Sequence, residues 1–439
     1  MSLLSSRSGP PSPDGAPSPD GAPLPAKPLG VLALAFLVLF IDGYDLFTLG
    51  TVGPELLRHG AWGREITAGT LGMLGSVTGI GMILGSAAAG RAGDRFGIRL
   101  PLVIALSVIS VSMLLSALAP GLAVFVVARV LTGLGVGALA PLVGSFVTAH
   151  APRRRRTLYI AVAMAALGLG GAASAYLGRG LLPETDFRWL FAPGVLPLLL
   201  VPFLLRSLPQ RRPSAADAPG HTGPAHRSRA LLDQDRRRVT VLLWVASFMS
   251  IALIYSTSNW LPSVMLKAGY DLNSALEFST AFTLGASVGT TALSLLADRG
   301  HLRVVTLAGF LLAAGALLAL STPQPRPVLL LLSALAGVGS LGTQSLVVGC
   351  MAASYPPQLI GTGMGFGLAV GRFGAIVGPS YLAAVTTWIA SPKAGFYAFT
   401  VPAVFGAVAI AFLPRARTSE RAQTQVPHAA APAAAPDPH

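Results

Sequence analysis

The stretch FLVLFIDGYDLFTLG, Phe36 to Gly50, carries two carboxylates, Asp42 and Asp45, in an otherwise apolar run. Residues three apart lie about 60° apart around a helix axis, so the pair shares one face. An ionised carboxylate in hydrocarbon is expensive, and two like charges this close and out of water disfavour full ionisation. At least one of them is suited to binding and releasing a proton, the chemistry of a coupling site. Gly43 between them lets a neighbouring helix or a ligand come close. The competing reading is structural: a pair satisfied by helix-end groups or by an arginine, or one titrating Asp beside one that fixes helix packing.

Arg372 is the complementary group, set among apolar or small side chains. A guanidinium does not discharge its proton and forks naturally onto a carboxylate. It is a candidate for binding a substrate anion and for an ion pair with Asp42 or Asp45. Competition between the two would itself couple binding to protonation. Arg129, near the start of another apolar segment, is a candidate for substrate contact, for gating or for proton relay. Tyr44, Tyr255, Asn259, Trp260, Gln344 and Phe373 are candidates to line a pocket for a ring with a polar substituent. Each type also serves in packing, and Trp260 near a helix end suits an interfacial aromatic belt.

These residues need apolar elements to hold them, and the composition supplies them. The chain of 439 residues is 53% hydrophobic with only 11% charged residues and a mean hydropathy of +0.66. Soluble domains carry about 25% charged residues, so this is the composition of a multi-pass membrane protein. A spanning helix needs about 20 mostly apolar residues. Twelve segments qualify: 30–52, 66–89, 98–118, 121–146, 157–178, 189–206, 240–264, 276–297, 302–321, 327–350, 359–388 and 394–413. The expected fold is all-α, with two six-helix halves at 29–206 and 239–414. A polar cytoplasmic linker is expected at 207–238. Disordered cytoplasmic tails are expected at 1–28, where PSPDGA occurs twice in tandem, and at 415–439. The first tail lacks the basic opening of a signal peptide, so the first apolar segment is expected to stay in the mature protein.

The net charge of +14 sits in short runs between apolar segments rather than on an aromatic-interleaved face that would read nucleic acid. With both termini cytoplasmic, 22 of the 31 basic residues fall inside and 7 outside, leaving Arg129 and Arg372 within helices. This is the positive-inside asymmetry. Only Lys27, Lys267 and Lys393 are lysine, which fits a GC-rich bacterial genome and hence an inner-membrane protein. Cys350 is the single cysteine, and the seven histidines have no paired metal-ligand spacing. No Ser/His/Asp or Cys/His constellation and no phosphate loop occurs, so enzymatic chemistry, a metal and a cofactor other than a coupling proton are not expected. The linker and tails are too short for a signalling domain, which disfavours a membrane sensor.

GRAGDRFGIRLPLV (Gly90 to Val103) and LADRGHLRVV (Leu296 to Val305) each place Asp-Arg just after an apolar segment and more arginine before the next. They occupy the same place in each half, the mark of an internal duplication found in transporters. Here the sequence resembles the major facilitator superfamily. Gly90, Asp94, Arg95, Gly97 and Arg99 match its loop 2–3 motif, with one extra residue before Asp94. The resemblance implies that Asp94 pairs with arginines near a helix N-terminus and locks one alternating-access state. Asp298 and Arg299 are the counterpart gate, in a copy one residue short, with His301 and Leu302 where basic residues are common. Arg129, Gly133, Gly135 and Gly137 fit the helix 4 motif, where glycines let helices approach.

DGYD resembles a signature of the aromatic acid:proton symporters. GRFGAIVGP (Gly371 to Pro379) and NWLP (Asn259 to Pro262) are similar to two more. The resemblance implies a monomeric symporter that imports an aromatic carboxylate of the benzoate or hydroxybenzoate kind with protons. One departure is TAHAPRRRR, which has Ala149 and His150 where this group often has an acid; that removes one coupling residue, for which His150 is a substitute by position alone. The rival is a proton-driven efflux antiporter, whose Gly-Pro step belongs in helix 5. Helix 5 here has no proline, and the Gly-Pro step, Gly378-Pro379, is in helix 11.

Overall fold

Backbone polar groups in a bilayer core find no water, so a chain this apolar must satisfy them within helices. The computed structural model describes residues 28–150, 156–202, 205, 231–356, 359–389 and 391–414. The expected tails, most of the linker and residues 151–155, with three of the four arginines of the basic run, lie outside the described residues. What is described is helical apart from short turns and one bridge between Ala61 and Arg64. The helices are α1 Pro28–His59, α2 Ala68–Phe96, α3 Arg99–Ala117, α4 Leu122–His150, α5 Arg156–Leu181, α6 Phe187–Leu200, α7 Gln234–Lys267, α8 Leu272–Leu296, α9 Leu302–Ala319, α10 Arg326–Ser354, α11 Ile360–Trp388 and α12 Ala394–Ala411. Nine stretches of the described residues are long and apolar enough to span a membrane, and one of them, Leu272–Ala319, runs through both α8 and α9.

Local chemistry sets the ends. Thr67 Oγ1 accepts from Thr70 N at 3.2 Å to cap α2, and Asp271 caps α8 through Ser274 N at 3.1 Å. Gly97, at φ 75°, stops α2 in a conformation that suits glycine. The α8–α9 junction is a π-type turn, Ala297–His301, with Gly300 at φ 90°. The sixth element departs from an ordinary helix. Pro193 and Pro197 deny it two N–H donors, and it is wound as a 3-10 helix.

Packing follows a two-fold logic. In the first half α1 packs on α5, α2 on α4, α3 on α4 and α3 on α6. The second half repeats this as α7 on α11, α8 on α10, α9 on α10 and α9 on α12. Across the halves α2 meets α11, α5 meets α8, and α1 meets α7. Main chains touch at these seams because glycine leaves room. A Cβ on Gly133 would stand 2.0 Å from Thr78 O within the first half. One on Gly50 would stand 1.9 Å from Ser258 O across the halves. Further cross-half contacts join Gly72 to Ala383, Gly75 to Pro379, Gly79 to Ile376, Gly168 to Thr283 and Gly178 to Leu276. All of these lie from mid-helix toward the α1–α2 turn, so the halves lean together on that side.

Two glycine substitutions should separate folding from gating. Gly133→Ala should destabilise the first half by about 1–3 kcal/mol through overpacking, read as a lower thermal-unfolding midpoint in detergent. Gly50→Ala should instead pry the halves apart, read as faster maleimide labelling of a cysteine introduced at Ser263.

Candidate functional site

Asp42 and Asp45 are both buried, 6% and 2% exposed, near the middle of α1. Gly43 is what admits α5 beside them: a Cβ there would stand 1.9 Å from Leu167 O. The two carboxylates share a face but not an environment.

Asp45 is in a buried ion pair. Arg129 of α4, 1% exposed, places Nη1 3.2 Å from Asp45 Oδ1. Its Nη2 donates to Ser116 Oγ at 3.0 Å and to Thr132 Oγ1 at 3.1 Å, with Met113 Sδ at 3.5 Å. The guanidinium also lies over Phe191 at 5.0 Å and Phe125 at 5.5 Å. Those two rings meet edge to face, and Trp62 packs on Phe125 at 5.3 Å. The arginine that pairs with an aspartate is therefore Arg129, whereas the sequence had offered Arg372 for that place.

Asp42 is different. Its Oδ1 is buried with no hydrogen-bond partner among the described residues. Arg372 of α11 makes no ion pair with Asp42, whose oxygens lie beyond 4 Å of its nitrogens. Its Nη1 donates to the main-chain carbonyl of Met82 in α2 at 3.0 Å, bridging the halves. Tyr255 OH donates to Met82 Sδ at 3.0 Å, and Asn259 Nδ2 donates to the Tyr255 carbonyl at 2.7 Å. Beside these groups is a small cavity of about 20 Å³, lined among others by Asp45, Thr78, Arg129, Tyr255 and Asn259. A space of this size holds about one water, so an aromatic ring needs the lining helices to move apart. A larger cavity lies behind α1, against α3, α5 and α6, lined by groups such as Leu37, Phe40, Ile41, Met113 and Leu196. It is apolar and offers no cation to an anion.

The structure thus gathers Asp42, Asp45, Arg129, Arg372, Tyr255 and Asn259 around one centre. Tyr44 points the other way, with its hydroxyl on the Leu190 carbonyl at 2.7 Å. Trp260 is fully buried away from this cavity. Gln344 is half-buried with Oε1 unpartnered among the described residues. Phe373 is 53% exposed next to Arg372. Of the expected gates, the side chains of Gly90 and Asp94, like those of Ala149 and His150, lie outside the described residues. Arg95 stacks on Phe96, Arg99 donates to the Leu205 carbonyl, and Asp298 and Arg299 are exposed. Sequence reasoning missed Thr132, Ser116 and Phe191, which hold Arg129, and the pair Ser76 and Ser380. Those two serines bond across the halves at 2.6 Å, with Ser76 also on the Ile376 carbonyl. Thr132 had a signal: it stands one turn from Arg129 on α4.

The sequence profile of the Major Facilitator Superfamily matches residues 35–379 and again 277–436. The chain belongs to the Major Facilitator Superfamily. It is 32% identical over 395 residues to a gentisate transporter of Corynebacterium glutamicum, covering 88% of each chain. It is 30% identical over 418 residues to a benzoate transport protein of Acinetobacter baylyi, covering 87% of this chain and 88% of that one. A crystal structure of a D-xylose-proton symporter superposes with a TM-score of 0.75 at 18% identity, over 89% of this chain and 98% of that one. The fold is therefore the superfamily's, and the protein is a multi-pass membrane transporter rather than an enzyme.

The two aspartates should respond differently to neutralisation. Asp45→Asn leaves Arg129 charged, buried and unpaired, which costs about 3–5 kcal/mol and should lower the unfolding midpoint sharply. Asp42→Asn breaks no hydrogen bond or ion pair within 4 Å and should lower the midpoint much less in the same assay.

Proposed function

We propose that this transporter imports an aromatic carboxylate together with protons by alternating access. The observation that carries the reading is the contrast between a locked Asp45 and an unpartnered Asp42 beside a cross-half arginine. The curated relatives, named for gentisate and benzoate, support the substrate class.

Charge counting gives the coupling. Asp45 and Arg129 neutralise each other. Arg372 is then balanced by Asp42 when Asp42 is ionised. When Asp42 takes up a proton, Arg372 is left with donors for a substrate carboxylate, and the centre is again neutral. Proton and anion therefore enter and leave together, because either alone leaves a net charge to be occluded at high cost. One proton with one monoanion moves no net charge, so the pH gradient drives it. Tyr255 and Asn259 are placed to meet the ring and its polar substituents. No cofactor beyond the coupling proton is needed, and the monomer suffices.

With both termini in the cytoplasm of a bacterium and the chain in its inner membrane, the seams that close around Gly50, Gly72 and Ser76 face outward. The described arrangement is then inward-facing, and Asp94, Arg95, Gly97 and Arg99 with Asp298 and Arg299 form the gate on the other side. In this reading both ligands leave to the cytoplasm.

The test is uptake of labelled 4-hydroxybenzoate, gentisate and benzoate into proteoliposomes under an inward proton gradient. Wild type should accumulate at least one of them, and Asp42→Asn should lose gradient-driven accumulation while keeping substrate exchange. Uptake of none by wild type would overturn the substrate class, and full accumulation by Asp42→Asn would overturn the coupling role. The gate makes a second expectation: with Cys350→Ser as background, a disulfide between Ser76→Cys and Ser380→Cys should abolish transport until it is reduced.

A further inference from the structure

Tyr44 stands between the two aspartates in sequence, yet its hydroxyl is spent elsewhere. At 2.7 Å it donates to the carbonyl of Leu190, in a buried bond. Leu190 lies in the 3-10 segment α6. In that winding each carbonyl accepts from the N–H three residues on. For Leu190 that residue is Pro193, which has none. A carbonyl short of a donor in hydrocarbon is costly, and Tyr44 supplies one.

The next residue does a related job. The Phe191 ring lies under the Arg129 guanidinium at 5.0 Å. A two-residue step of α6 therefore holds both sides of the Asp45–Arg129 pair: α1 through the Leu190 carbonyl, and Arg129 through the Phe191 ring. Main-chain contact with α5 holds one side of α1, where a Cβ on Gly170 would stand 1.9 Å from Phe40 O. The other side borders an apolar groove lined by Leu37, Phe40, Ile41 and the Tyr44 ring, where the bond to α6 is the polar tie.

We propose that Tyr44 is a positioning residue, whose hydrogen bond to the carbonyl that Pro193 leaves free fixes the rotation of α1, so that Asp45 meets Arg129 and Asp42 faces the centre. The consequence for transport rests on the proton-coupling reading above; the consequence for the helix does not. Tyr44→Phe removes the donor and keeps the ring. Pro193→Ala supplies the Leu190 carbonyl with a backbone N–H that competes with Tyr44 for it. Both reach the same bond.

The experiment is a double-mutant cycle with Tyr44→Phe, Pro193→Ala and the combination, in full-length protein. In proteoliposomes Tyr44→Phe should cut proton-driven uptake by about fivefold, the factor that one neutral hydrogen bond is worth. It should also shift the pH profile of uptake, and leave counterflow exchange closer to wild type. Pro193→Ala should act in the same direction, and the double variant should be no worse than the more affected single one. A wild-type pH profile in Tyr44→Phe, or effects that simply add, would overturn the proposal. The same cycle on thermal-unfolding midpoints in detergent needs no substrate. If wild type shows no proton-driven uptake, the coupling reading fails on its own, and additive midpoints overturn the positioning role while non-additive ones sustain it.

Discussion

A buried charge pair organises this protein. Asp45 and Arg129 are buried between α1 and α4 at the edge of the central cavity. Such a pair is tolerated only when its remaining donors are met and its geometry is held. Much of the first half serves that condition, with Arg129 Nε the one guanidinium nitrogen left without a partner among the described residues. Ser116 and Thr132 take one nitrogen of the guanidinium, Phe125 and Phe191 cover its face, and Trp62 backs the rings with its Nε1 on the Ala119 carbonyl. The glycines of α2 and α4 bring their helices together by main-chain contact.

Locking Asp45 defines what is left over. Asp42 is one turn away with a buried oxygen unpartnered among the described residues, and Arg372 of the other half bonds the Met82 carbonyl instead of it. The fixed pair belongs wholly to the first half, whereas the adjustable pair straddles both. Neutralising or replacing one member of the straddling pair therefore changes how the halves attract each other at the level where they must separate.

Much of this was legible in the sequence. The helix bounds were close, since unbroken apolar runs of this length have few alternatives in a membrane. The first helix runs seven residues past its expected end, to His59, because Pro54 is accommodated within it. The shared face of Asp42 and Asp45 followed from helical spacing alone. That spacing also put Tyr44 nearly opposite Asp42, a signal that the resemblance to a binding motif obscured. Which arginine pairs with which aspartate was not readable, because helix adjacency decides it and neither spacing nor composition encodes adjacency. The role of Met82 was invisible for another reason: Arg372 bonds its main-chain carbonyl, which any residue would supply. The 3-10 winding of α6 was signalled only by two prolines four apart.

The glycine seams between α2 and α11 and between α5 and α8 have a thermodynamic consequence. Where two helices meet by main chain, closure freezes few rotamers, because there are few long side chains to freeze. Reopening then releases little entropy, and contact and separation differ mainly in the short-range contacts and the few polar bonds at Ser76 and Arg372. Two states separated by so small a difference can be exchanged by the binding energy of a single small ligand. A shuttle that must return empty as readily as it travels loaded needs such a balance, and smooth backbone surfaces provide it.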